Sequence, residues 1–304
     1  MFDAPVAEPP HQASRHASGI APTHTELLAP RLSLSSCVRA YITRSTLGID
    51  LSPPQRRNHF PASPYCSITW LLHGESTRIR LGDADIHEPM PTVSVIGSHT
   101  EPCISANPGP VHAFMAVLLP QAVQALTSLE LAALVNRVVP LESVLDDSWQ
   151  AMAQSVQHAS DDRTRVQLIE AFLEPRWNAV RQDAMPRADR RRYWVEGLAL
   201  HAAASGMGKS LRQIERRIKG WAGLPLRDLR RLARSEESFL ETRDTFLSDP
   251  TQGAPNWADI AMDGGYADQS HLCRETRRGT GLSPNELKRA VAEDESFWLY
   301  RIWD

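Results

Sequence analysis

Arg212, Glu215, Arg216 and Lys219 stand three and four residues apart, the spacing that places side chains on one face of a helix. Leu211, Ile214, Ile218 and Trp221 form the opposite, apolar stripe. A helix that buries one stripe and offers guanidinium and carboxylate groups on the other can hydrogen-bond to base edges and grip phosphates. Paired guanidinium N–H groups match the two acceptors of guanine, and a side-chain amide matches adenine. Further along, Gln269, Ser270, His271, Arg274 and Arg278 repeat this chemistry, with Arg277 beside them.

The residues around each set predict how it is positioned. Ser210 and Gln213 fit a capping box, in which a hydroxyl and an amide satisfy the orphan amides of a helix start. Val195, Leu198, Ala199 and Ala202 predict a preceding helix with one buried face, and Gly206 and Gly208 a turn between the two. The second set has the same layout. Trp257, Ile260 and Ala261 make the buried face, Gly264 and Gly265 the turn, and Asp268 the cap. Gly281-Leu282-Ser283-Pro284 closes that helix and opens the next. Residues 226–247 lack proline and predict a joining helix of about 21 residues, roughly 30 Å at 1.5 Å each. That is near the ~34 Å turn of B-DNA.

Charge supports a basic module. The 304-residue chain has a net charge of −3, which averages two unlike parts. Residues 187–290 carry 19 basic and 14 acidic side chains, and the remainder carries 14 and 22. Residues 209–234 alone hold nine basic against two acidic. Such asymmetry is the footprint of a segment that meets a polyanion. No run of 18 apolar residues predicts a membrane span, and the first 30 residues lack a secretory apolar core. The four cysteines, Cys37, Cys66, Cys103 and Cys273, form no close pair, which argues against a disulfide framework or a zinc finger and fits a reducing cytoplasm. The glycine-rich, nucleophile-elbow and zinc-helix motifs of common enzymes are missing from the sequence. No cofactor is expected.

The predicted fold class is α+β. Residues 1–32, with Pro5, Pro9, Pro10, Pro22 and Pro30, read as a disordered tail. Residues 33–145 read as a β-rich domain, a small barrel or sandwich, with strands at 38–43, 66–72, 77–81, 92–96 and 113–119. Residues 146–188 read as a helical connection, a candidate for dimerisation, in a stretch where apolar spacing changes to three and four. Residues 189–290 read as an all-α domain of two tandem helix-turn-helix units joined by a linker helix. Residues 291–304 form an aromatic tail expected to dock on a domain surface or a second copy.

The run Gly265-Tyr266-Ala267-Asp268-Gln269-Ser270-His271-Leu272, with Arg277-Arg278 and Gly281-Leu282-Ser283-Pro284, closely resembles the C-terminal signature of the AraC/XylS family of bacterial transcription regulators. Residues 212–217 with Gly223-Leu224 resemble the family's first reading helix, and residues 114–177 resemble its helical connection more loosely. The resemblance implies base contacts from Arg212, Glu215 and Arg216, and from Gln269, Ser270, Arg274 and His271. It implies double-stranded DNA as partner, with RNA polymerase, a small-molecule effector at the N-terminal domain and a second copy of the chain as further partners, and no membrane. Two residues depart from the pattern: Thr276 replaces a core phenylalanine and Gly264 a larger residue. Both predict a looser second unit.

Other chemistry in the N-terminal half stays open. His59, Cys66, His73, His87, His99, Cys103 and His112 are candidate metal ligands, though His87-Glu88 lacks the second histidine of a metal-cupin pair. Cys66 and Cys103 are candidate redox sensors, although no cysteine has the basic neighbours in sequence that would activate it. Residues 56–61 read as a pocket mouth or a solvated turn. The competing functions are an enzyme, cupin-like or a DNA-repair thiol transferase, bearing a DNA-binding appendage, and an adaptor that has lost DNA contacts.

Overall fold

The computed structural model describes residues 23–181, 193–204, 210–241 and 256–302. The architecture is α+β, a β-rich N-terminal part followed by helices. Ten strands form two antiparallel sheets: β1 (His24–Leu28), β2 (Val38–Ser45), β3 (Arg57–Phe60), β4 (Cys66–His73), β5 (Thr77–Leu81), β6 (Ala84–Pro89), β7 (Val93–Ile96), β8 (Cys103–Ala106), β9 (His112–Leu118) and β10 (Val138–Pro140). The larger sheet has the order β1-β2-β9-β4-β7-β10, the smaller β3-β8-β5-β6.

The strands expected from β-branched runs are present. The expected tail to residue 32 is shortened, because His24–Leu28 pairs with β2 from Tyr41 to Ser45; residues 1–22 of that tail lie outside the described residues. Strands β3, β6 and β8 were not expected. They are short or polar, and their stability comes from pairing with neighbours rather than from their own composition.

Alternation along β9 sorts the larger sheet's two faces. Phe114, Ala116 and Leu118 are buried with Tyr41, Ile68 and Trp70 in the main core. Helices α1 (Pro120–Thr127), α2 (Asp147–Gln157) and α3 (Asp162–Val180) close that side. Trp70 Nε1 donates to the Ala153 carbonyl at 3.0 Å, and the Trp149 and Phe172 rings meet edge to face. Asp146 and Asp161 cap α2 and α3 through their carboxylates. The other face of the sheet, with Ala113, Met115 and Val117, lines a cavity shared with the smaller sheet.

Six further helical segments follow among the described residues. They are α4 (Tyr193–Ala204), α5 (Leu211–Ala222), α6 (Leu226–Glu241), α7 (Trp257–Asp263), α8 (Gln269–Thr280) and α9 (Pro284–Glu293). A terminal 3-10 segment, Glu295–Arg301, completes the described chain. Helix α9 runs past residue 290, the expected end of the helical domain. At 16 residues α6 is about 24 Å long; the rest of the expected joining helix lies outside the described residues.

Candidate nucleic-acid interface and the cavity behind it

The first helix pair is α4 and α5. Val195, Leu198 and Ala202 are buried, and so are Ile218 and Ala222 of α5. The turn expected at Gly206 and Gly208 lies outside the described residues. At the start of α5, the Ser210 amide donates to Gln213 Oε1 at 3.1 Å, one half of the capping box. Gly223 ends the helix at φ +76°, and its Cα faces the Leu131 backbone so closely that a Cβ would stand 3.0 Å from it. Left-handed backbone and close approach both require glycine there.

Arg212, Glu215, Arg216 and Lys219 are all exposed, while Ile218 is buried. Leu211 departs from the expected apolar stripe, being 80% exposed. As the first residue of α5 it projects beyond the surface that covers Ile214 and Ile218. Trp221 is half-buried with its ring 5.1 Å from that of His201.

The second pair, α7 and α8, has its own small core of Trp257, Ala261, Tyr266, Leu272, Leu287 and Val291. Asn256 Oδ1 accepts from the Ala258 amide at 3.1 Å, and Asp268 Oδ1 from the His271 amide at 2.7 Å. Gly265 turns the chain at φ +70°. Gln269, Ser270, Arg274 and Arg278 are exposed. His271 is half-buried; its Nδ1 accepts from the Ala267 amide at 3.3 Å and its ring stands edge-on to Tyr266. Arg277 faces Glu286 at 3.4 Å.

The two departures from the family pattern have local causes. A Cβ at Gly264 would stand 3.0 Å from Ser238 Oγ on α6 and 3.0 Å from the Tyr266 ring, so the glycine permits close packing and does not loosen it. Thr276 is half-buried, returns its hydroxyl to the Leu272 carbonyl at 2.9 Å, and contributes to the cavity wall.

Behind this surface lies a cavity of about 260 Å³, bounded by both sheets, by α6 and by the second helix pair. Its apolar wall includes Ile42, Leu71, Met115 and Val117, and its polar wall includes Arg44, Arg78 and Glu236. The C-terminal segment seals one side. Phe297 stacks on His59 with ring centroids 4.2 Å apart, and Trp298 Nε1 donates to Asn58 Oδ1 at 2.9 Å. The aromatic tail therefore docks within its own chain. Glu295, 1% exposed, accepts from Arg44 at 3.0 Å, from Arg301 at 3.1 Å and from the Thr23 hydroxyl at 2.7 Å. Glu236 on α6 accepts from Arg39 at 3.1 Å and from Tyr65 Oη at 2.7 Å.

Residues 56–61 are no solvated turn. They hold β3, and Asn58, Phe60 and Pro61 line the cavity. Of the candidate metal ligands, His59 is committed to Phe297, His112 faces Asp162 at 3.7 Å, and Cys66, Cys103 and His99 line the cavity. Among the described residues, no three His, Cys, Asp or Glu side chains are grouped to hold a metal. Burial pushes the Cys66 thiol up to about 12. Cys103 does have a basic neighbour that sequence could not show, Arg78 Nε at 3.4 Å, yet burial dominates and its pKa is raised. Neither thiol has the lowered pKa a transfer nucleophile needs.

No protein-family model matches the chain, and no curated protein matches it. Among solved structures, ToxT from Vibrio cholerae is similar at 10% identity and a TM-score of 0.35, over 76% of this chain and 97% of that one. A ToxT structure with an unsaturated fatty acid bound is similar at 12% identity and a TM-score of 0.37, over 78% and 97%. No described helix is long and apolar enough to cross a membrane.

Proposed function

We propose that this chain is a sequence-specific, double-stranded-DNA-binding transcription regulator of the AraC/XylS kind, with α5 and α8 as the helices that enter successive major grooves. One observation carries the reading. Both helices bury one face in a helix-turn-helix core and leave Arg212, Glu215, Arg216 and Lys219, and Gln269, Ser270, Arg274 and Arg278, exposed on the other. Lys219 and Arg278 act on phosphates and the others on base edges. His271, held by Ala267, orients the start of α8 more than it reads DNA.

In this reading residues 33–145 are the sensor, 146–188 the connection and 189–290 the DNA-binding part. An effector in the cavity would touch the sheets and the second helix pair at once, because Met115 and Leu272 line the same space. Occupancy would then bias how the second unit sits.

Affinity for DNA should fall steeply with salt, since each neutralised phosphate releases counterions. Arg216→Ala and Arg274→Ala should each cost about 1–3 kcal/mol on a specific site and far less on random DNA. A flat salt titration, or equal losses on both DNAs, refutes the reading.

A further inference from the structure

We infer that the cavity between the sheets and the second helix pair takes an uncharged, largely apolar molecule with one or two hydroxyl or carbonyl groups, and that it excludes free carboxylates. The inference deepens the effector reading above and rests on it for its biological meaning.

Charge pairing is the first argument. Each ionised group at the wall already has an opposite charge from the chain itself. Arg44 meets Glu295 at 3.0 Å, Arg78 meets Glu88 at 2.9 Å, and Glu236 meets Arg39 at 3.1 Å. Arg78 is engaged at each of its three nitrogens, the other two lying 3.1 Å from the Asn136 carbonyl and 3.4 Å from Cys103 Sγ. His99, also at the wall, adds no cation: burial and the nearby Arg78 push its pKa down to about 4. A ligand carboxylate would enter a low-dielectric space whose cations are already matched, since Arg301, which shares Glu295 with Arg44, has Asp294 nearby as well, and it would meet Glu236 there.

Unmet hydrogen bonds are the second argument. Three residues that line the cavity carry a buried polar atom with no hydrogen-bond partner among the described residues: Arg44 Nε, His99 Nε2 and Tyr300 Oη. The first is a donor and the third can donate; both atoms are closed off by their neighbours, so a neutral acceptor oxygen pairs with them once the wall side chains give way. Orphaned polar atoms are uncommon in native interiors, and a bound molecule is one way to satisfy them.

Size and surface are the third. At about 260 Å³ the cavity lies just below the usual range for drug-sized ligands. The alternation of β9 directs Ala113, Met115 and Val117 at the occupant, so most of the contact is apolar.

The test compares 1-octanol with octanoate, two probes of equal chain length and opposite charge character, on the full chain without DNA at pH 7.5. Tryptophan fluorescence is a fitting readout, because Trp257 and Trp298 line the cavity; thermal denaturation gives a second one. Octanol should produce a saturable change in both, with octanoate at least tenfold weaker. Met115→Phe, which puts a larger, rigid ring at the cavity wall, should weaken the octanol response at least threefold while leaving the circular dichroism unchanged. Should that variant unfold, Ala113→Val serves the same purpose. Glu88→Gln should narrow the difference between probes by threefold or more, because it leaves Arg78 uncompensated; Glu88 is 56% exposed, so the fold should tolerate the change. Octanoate binding as tight as octanol, no saturable octanol response, or an unchanged difference in Glu88→Gln would each overturn the inference. Failure of the DNA reading would show separately, as a flat salt titration, and leave the probe curves untouched.

Discussion

Substituting Glu295 by glutamine tests how the C-terminal segment is held to the sheet. The carboxylate is 1% exposed, Arg44 opposite it is 3% exposed, and the two are 3.0 Å apart. Arg301 and the Thr23 hydroxyl are further partners, so one negative charge serves two guanidinium groups and a hydroxyl. Burial is costly here: Arg44 is pushed down to about 10 even with Glu295 beside it. Glutamine keeps the shape and removes the charge, leaving Arg44 buried without its counterion. Removing one partner of a buried pair costs about 3–5 kcal/mol, a large part of a typical folding free energy. Urea denaturation followed by circular dichroism and by tryptophan fluorescence should show that loss, and fluorescence should register it first because Trp298 stacks under Arg44. The triple variant Arg44→Met, Glu295→Leu, Arg301→Met should recover most of the stability, since apolar replacement of a whole buried ionic group is near neutral. If Glu295→Gln lies within about 1 kcal/mol of the parent, the ion pair does not hold the segment and the reasoning fails.

His59 and His99 are both pushed down to about 4 from 6.5, chiefly by burial. Below pH 6.5 the unfolded chain takes up protons that the native chain refuses, so stability present above 6.5 is lost as pH falls toward 4. The loss is on the order of 3 kcal/mol for each histidine. Urea midpoints measured from pH 7.5 to 4.5 should show it, and His59→Phe, which keeps a ring on Phe297, should remove its own share of the slope. Gly97→Ala should cost about 1–3 kcal/mol or more, because an added Cβ overlaps the Leu134 carbonyl; a thermal midpoint equal to the parent's would contradict this. Asp268→Ala should cost about 1 kcal/mol through loss of the α8 cap, with Asp268→Asn close to the parent in the same denaturation assay.

The helix-turn-helix pattern was legible because its determinants are local. A cap reaches three residues, a helix face recurs every three or four, and glycine at a left-handed position speaks for itself, as Asp268, Ile218 and Gly265 illustrate. Leu211 shows the limit of that logic: periodicity assigns a face but does not say where the covering surface ends. The cavity was largely illegible. Arg44 and Arg78 sit in strands as charged residues, which ordinarily face water, yet they are 3% exposed because Glu295 and Glu88 meet them. Asn58 and Ser105 point inward and bond to each other at 3.1 Å, so β3 and β8 lack the apolar-inside alternation by which strands are recognised.

Composition and spacing alone determined the basic, helical character of the C-terminal third and the β texture before it, because those properties depend on neighbours a few residues away. Tertiary structure decided which charges are neutralised, which side chains bound the cavity, and where the aromatic tail rests. Those outcomes depend on contacts between residues such as Arg44 and Glu295, or Asn58 and Trp298, which only the folded chain brings within reach of one another.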